Sequence, residues 1–401
     1  MVSSGNNFTF LHSNHQQGNP ILNTSQTISW QEASKTKTGV WHSENDAPVP
    51  KKVQIADDTI KADDAYKLCC EGTALLWRGD FQNAKLLMQA LSRRIDRPRK
   101  KPKKTGDTML QAFHLHRQSQ SQKARILGML VIELNVGYNI NLRRAPDVKA
   151  ACEHAYGKST QTIVVSLREI LGLVGAYEWS KNGVDISVIN NKIYPSYGVF
   201  SPIRGEYLDL VDVAPLPTPC NLAFDIGTGT GVLAAILANR GITKIVATDN
   251  SHRALDCALK NINLLGLKTN VTLVEANLYP KAEYGKADLI VCNPPWLPAH
   301  PSSALESAIY DEKSQMLKGF LNGLSAHLND GGEGWLVLSD FAEHLGLRTR
   351  EELLGWIAAA GLQVIDRTDT KARHGKTLDA SDPLHAARKA EVTSLWRLAK
   401  I

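Results

Sequence analysis

The second half of the chain predicts an α/β fold built on a doubly wound, mainly parallel sheet. Three observations carry the prediction. From Asn221 onward, apolar runs of strand length alternate with segments of helical periodicity. Two of those runs break into distinctive loops, F-D-I-G-T-G-T-G at 224–231 and D-L-I-V-C-N-P-P-W at 288–296. No long helical pattern separates the last two strand-like runs, so the final strand should return antiparallel. Strands are expected at 221–226, 244–249, 271–276, 287–293, 333–339, 362–368 and 392–398, and helices at 231–240, 252–265, 310–328 and 349–360.

Residues 1–47 are rich in Ser, Asn, Gln and Thr with little hydrophobic periodicity, and predict a disordered tail. Apolar residues then recur at helical spacing over 62–94 with a break near Gly79, and again over 107–135, 147–157 and 160–173. A smaller, mainly helical N-terminal domain is therefore expected over 48–175. At 176–218 the period changes: alternating residues flank Asn182-Gly183, a strong hairpin signal. A proline-rich bend with Pro215, Pro217 and Pro219 leads into the domain at 219–401.

Composition narrows the class. Forty-three per cent hydrophobic and 21% charged residues are ordinary globular usage. The longest apolar run, 126–134, is too short to span a bilayer, and the first residues lack the pattern of a signal peptide, so a cytoplasmic protein without a membrane partner is expected. Cys69, Cys70, Cys152, Cys220, Cys257 and Cys292 fit neither a zinc nor a disulfide pattern, and the histidines form no metal motif. No metal is expected. Net charge is +6, concentrated at 93–104, where R-R-I-D-R-P-R-K-K-P-K-K opens on Arg93, closes on Lys104 and holds eight basic residues. Such a run suits nucleic-acid phosphates, and equally suits a solvated linker stiffened by Pro98 and Pro102.

The two loops predict an enzyme with a nucleotide-like cofactor. In an open parallel sheet, ligands sit at the carboxyl ends of strands beside the first one. Asp225, Gly227, Gly229 and Gly231 belong there, because glycine permits a tight turn and close approach of a ligand to backbone. Asp249 ends the second strand and is placed to accept bonds from ribose hydroxyls; it equally suits capping of a helix that starts near Ser251.

These residues resemble class I methyltransferases that use S-adenosylmethionine, over about residues 199–401. The resemblance implies a Rossmann-like, seven-stranded sheet and S-adenosylmethionine as cofactor. It implies that Asp225, Thr228 and the glycine loop hold the methionine end, Asp249 and Asn250 the ribose, and Asn277 the adenine, although many relatives carry Asp at the place of Asn277. Asn293-Pro294-Pro295-Trp296 narrows the acceptor to a planar nitrogen. The Asn293 side-chain oxygen and the Pro294 carbonyl can accept both N–H groups and aim the nitrogen lone pair at the methyl carbon. Trp296 offers a flat face for stacking.

Asn-Pro-Pro-aromatic enzymes resemble two substrate classes. One methylates a glutamine side-chain amide in release factors or a ribosomal protein; the other methylates the exocyclic amine of adenine in RNA or DNA. The segment 200–206, with Pro202, Arg204 and Glu206, resembles the glutamine group, although Trp296 stands where Tyr is usual. A protein of the translation machinery is thus the leading expected partner and RNA the alternative, while a cofactor-binding scaffold without catalysis is the reading from outside enzymology. Arg204 and Glu206 are expected on the substrate side, or as a local ion pair. The connection 370–391 leaves the same sheet edge and holds Arg373, His374, Lys376, Asp382, His385 and Arg388, of which Arg373 and Lys376 are the expected acceptor contacts.

Overall fold

The computed structural model describes residues 26–97, 108–301, 306–373 and 379–401. Strands Thr27–Glu32 (β1), Lys35–Trp41 (β2), Lys52–Ala56 (β3), Thr73–Trp77 (β4), Leu130–Leu134 (β5) and Ile163–Ser166 (β6) form one mixed sheet in the order β1-β2-β6-β5-β4-β3. Helices Ala62–Cys70 (α1), Phe81–Asp96 (α2), Met109–Gly128 (α3), Lys149–Tyr156 (α4) and Leu167–Asn182 (α5) accompany it.

This corrects two expectations. Residues 27–41, assigned to a disordered tail, pair as an antiparallel hairpin whose Ile28 and Trp30 are buried. The domain expected to be mainly helical is built on a sheet. The cause is visible in β4, which is buried at every position: Leu75 and Trp77 join the helices, while Ala74 and Leu76 pack with Ile28, Trp30 and Val164 on the other face. A strand covered on both faces shows no polar alternation, so in sequence it reads like part of a buried helix.

The hairpin signal at Asn182-Gly183 is also displaced. Gly183, at φ +70°, ends α5 as its C-cap, and its N–H bonds to the Trp179 carbonyl. A short hairpin follows, Val184–Ile186 (β7) with Asn191–Ile193 (β8), turning through Ser187–Ile189 and a left-handed Asn190. Asn-Gly suits any backbone needing positive φ, and here a helix end used it. An unforeseen helix, Glu206–Val213 (α6), lies in the expected linker.

The second half follows its pattern closely. Leu222–Ile226 (β9), Lys244–Asp249 (β10), Val271–Glu275 (β11), Ala287–Cys292 (β12), Leu328–Ser339 (β13), Leu362–Lys371 (β14) and Val392–Lys400 (β15) order as β11-β10-β9-β12-β13-β15-β14. β15 runs antiparallel to both neighbours, as expected, and the other adjacent pairs are parallel. Helices Val232–Asn239 (α7), His252–Leu264 (α8), Gln315–His327 (α9), Phe341–His344 (α10), Arg350–Ala359 (α11) and His385–Ala390 (α12) complete it. The sheet is covered on both faces by apolar clusters centred on Leu237, Val291 and Trp335 on one side and Phe224, Phe320 and Leu336 on the other. Among the described residues, no helix is long and apolar enough to cross a membrane.

Contacts that tie the halves together at the carboxyl edge of the sheet include an ion pair and an apolar cluster. Arg253, in α8, pairs with Glu44 at 3.1 Å. Phe113 of α3 packs with Leu297, Phe341, Leu384 and Ala387.

Candidate active site

The switch point brings the two distinctive loops together. β9 and β12 are parallel neighbours, with Ile226 beside Cys292, so Gly227 and Asn293 leave the sheet side by side. They open into a cleft of about 1230 Å³. That exceeds the range of ~300–1,000 Å³ usual for one small ligand, and leaves room for a cofactor and an acceptor side chain together.

Gly227, Thr228, Gly229, Asp249, Asn250 and Asn277 line the cleft. The backbone requires glycine at Gly227, where φ is +72° and an added Cβ would sit 2.6 Å from the Met316 methyl. Gly227→Val is therefore expected to lower cofactor affinity at least about tenfold, measured by calorimetric titration, because both the turn and the space are lost. Asp249 serves two ends at once. Its oxygens accept the N–H groups of Gly229 and Ser251, each at 3.0 Å, while its carboxylate still faces the cleft. Burial raises its pKa. The helix cap itself is Ser251, which accepts from the Ala254 N–H.

Asp225 and Gly231 are placed differently, behind the loop. Asp225 is fully buried and is not among the residues lining the cleft. Its Oδ2 accepts the Thr228 hydroxyl at 2.6 Å and the Ala234 N–H at 3.1 Å, so it braces the turn. Its Oδ1 has no partner, and burial lifts the pKa to about 6. Gly231, at φ +81°, starts α7 and packs on Ala258 of α8.

Asn293, Pro294, Pro295, Trp296 and Arg204 line the cleft as well. Pro294 and Pro295 carry no N–H, so this stretch of backbone offers hydrogen-bond acceptors only. Asn293 Oδ1 accepts the Trp296 indole N–H at 2.9 Å. Glu206 is buried and reaches the site only through Arg204, whose Nε donates to it at 2.9 Å.

Arg373 is exposed and lies 3.7 Å from Asp209, outside the cleft, while Lys376 and His374 fall outside the described residues. From the same connection, Arg388 does line the cleft. It is anchored by Asp382 at 2.7 Å and lies over the Phe341 ring. The part of the basic run within the described residues is tied down in part, Arg94 pairing with Asp63 at 2.6 Å; positions 98–104 fall outside the described residues.

Sequence reasoning missed Glu44, Tyr207, Met316, Phe341 and Glu391. Tyr207 sits on the apolar face of a short helix and reads there as core. Glu391 lies in a solvated-looking run 187 residues from its partner Arg204. Arg388, by contrast, is marked in the sequence as one of several charges in the long connection at the carboxyl edge.

Comparison with known proteins agrees with this geometry. The family model for the methyltransferase small domain matches residues 192–350. A release factor glutamine methyltransferase of Xylella fastidiosa is 35% identical over 36% of this chain and 56% of its own length. A putative protein N5-glutamine methyltransferase of Methanocaldococcus jannaschii is 28% identical over 37% of this chain and 75% of its own. A ribosomal protein uL3 glutamine methyltransferase of Bordetella pertussis is 32% identical over 27% and 37%. The chain thus spans little more than half the length of the first of these relatives.

Proposed function

We propose that this chain, which carries a methyltransferase small domain over residues 192–350, is an S-adenosylmethionine-dependent N-methyltransferase acting on a glutamine side-chain amide of a translation protein. The observation that carries the reading is the placement of Asn293-Pro294 beside the glycine loop at the switch point, with Arg204, held by Glu206, over the Trp296 ring. The names of the relatives, release factor and ribosomal protein glutamine methyltransferases, support the acceptor class.

The donor set suits the cofactor. A glycine loop of positive φ gives close backbone approach, Asp249 presents a carboxylate, and Asn277 presents an amide at the far end. When bound, S-adenosylmethionine supplies a methyl group on a positively charged sulfur and leaves as the neutral thioether. The chain's own part is orientation. Asn293 Oδ1 and the Pro294 carbonyl accept the two N–H groups of the acceptor amide, which turns its nitrogen lone pair out of conjugation with the carbonyl. Trp296 bounds the acceptor on one side. The extra proton on nitrogen passes to water after transfer, so no general base is invoked.

Arg388 replaces Arg373 as the expected acceptor contact from the long connection, because it faces the cleft. Arg388→Ala should raise acceptor KM severalfold with cofactor affinity unchanged, whereas Arg373→Ala should leave both unchanged. Steady-state kinetics with each variant decide between them.

The reading is tested by transferring radiolabelled methyl into undermethylated cell extract, then splitting the product by protease and by ribonuclease. Label lost to protease and recovered as methylglutamine is the expected result. Label lost to ribonuclease and recovered as methyladenine would move the enzyme to the RNA class, and affinity for that acceptor should then fall steeply with salt.

A further inference from the structure

Asn293 is held by a chain of contacts that reaches across the sheet. The Trp296 indole N–H donates to its Oδ1 at 2.9 Å, and the buried Tyr207 faces the same side chain. The Arg204 guanidinium lies 5.0 Å from the Trp296 ring centre, within cation–π range, and covers one face of the indole. Two carboxylates fix that guanidinium. Its Nε donates to Glu206 at 2.9 Å and its Nη2 to Glu391 at 3.1 Å, and both carboxylate side chains are 1% exposed. Ser339, at the end of β13, donates to the same Glu391 oxygen at 2.7 Å.

Nothing in this arrangement leaves the indole free to rotate. One face is stacked, the edge is bonded, and the stacking partner is anchored on two buried carboxylates. A charged pair at this depth, with its hydrogen bonds made, favours one geometry strongly over its neighbours.

Resting on the acceptor reading above, we propose that Trp296 is a positioning residue. Its indole N–H fixes the Asn293 amide and so sets the direction from which Oδ1 meets an acceptor N–H. Arg204 and Glu391 act through Trp296 by fixing the ring. Neither tyrosine nor phenylalanine carries a ring N–H, so the clamp depends on tryptophan at this place.

Trp296→Phe keeps a flat face and removes the N–H. With S-adenosylmethionine and unmethylated release factor, kcat should fall about tenfold, while acceptor KM and cofactor Kd stay within about twofold. Glu391→Gln should lower kcat by a smaller factor, and the double variant should be no slower than Trp296→Phe alone, because both act on one element. Unchanged kcat, a rise in KM instead, or losses that multiply in the double variant would overturn the proposal. A second readout needs no acceptor. In protein carrying 15N-tryptophan, the indole resonance lost in Trp296→Phe should shift upfield in Asn293→Ala and move in Glu391→Gln; a resonance that ignores both changes overturns the clamp. Should the wild type fail to methylate release factor, the acceptor reading falls, and the indole resonance still decides the clamp.

Discussion

Asn293→Ala is expected to cut kcat at least about a hundredfold while leaving cofactor affinity nearly intact, a loss on the scale of removing one preorganised polar contact. The separation follows from where the residue sits. Cys292 before it is fully buried in β12, so the backbone that positions the loop is set by the sheet rather than by the Asn293 side chain. The bonds that hold the glycine loop to Asp249 and Asp249 to Ser251 do not involve Asn293 and are kept. What the variant removes is the oxygen that meets the acceptor, together with the partner of the Trp296 N–H. The half-buried indole would then lose that bond, so part of the loss is disorder in the ring. Calorimetric titration with cofactor and single-turnover methyl transfer separate the two effects. Near-normal turnover would falsify the orientation mechanism.

Asp225→Asn is expected to stabilise the protein without cofactor, and to do so more as pH rises. Burial raises the folded pKa of Asp225 to about 6, above its ordinary value of 3.8. The sign follows from linkage: the folded state holds the proton more tightly, so the favourable contribution is complete below the unfolded pKa and is lost as pH climbs through the folded one. Above pH 6 the buried carboxylate is charged, and the difference amounts to about 3 kcal/mol of destabilisation. Asparagine escapes that charge, and its side-chain oxygen can still accept from Thr228 or the Ala234 N–H. The gap in melting temperature between variant and wild type should therefore be small near pH 4 and open between pH 4 and pH 7. A gap independent of pH would show that Asp225 titrates normally. A cost of this size, in a group bracing the glycine loop, fits the pattern in which a binding site is held at the expense of stability.

The sequence alone determined the catalytic half, because every strand there had a signal of its own kind. β9 and β12 are apolar runs that stop at loops no regular element can continue through, Gly-Thr-Gly and Asn-Pro-Pro. From them the sheet edge at which the two loops meet followed. In the N-terminal half the same reasoning produced helices where the chain forms β4, β5 and β6. Burial on both faces erased the alternation that would have marked them, and only the pairing of distant segments restores it.

Tertiary structure decided how the site residues divide their labour. Asp225 and Asp249 look alike in sequence, each an acid ending a strand. The fold turns the first inward to brace the loop and leaves the second facing the cleft, because the Thr228 hydroxyl and the Ala234 N–H meet one and not the other. Arg204 and Glu391 are brought together only by the antiparallel return of β15 beside β13, which sets Glu391 against Ser339. Local chemistry written along the chain marks the residues proposed to hold a methyl donor and a planar nitrogen. Which of them touch, and which stand behind, depends on contacts between segments far apart in sequence, and those are set by packing.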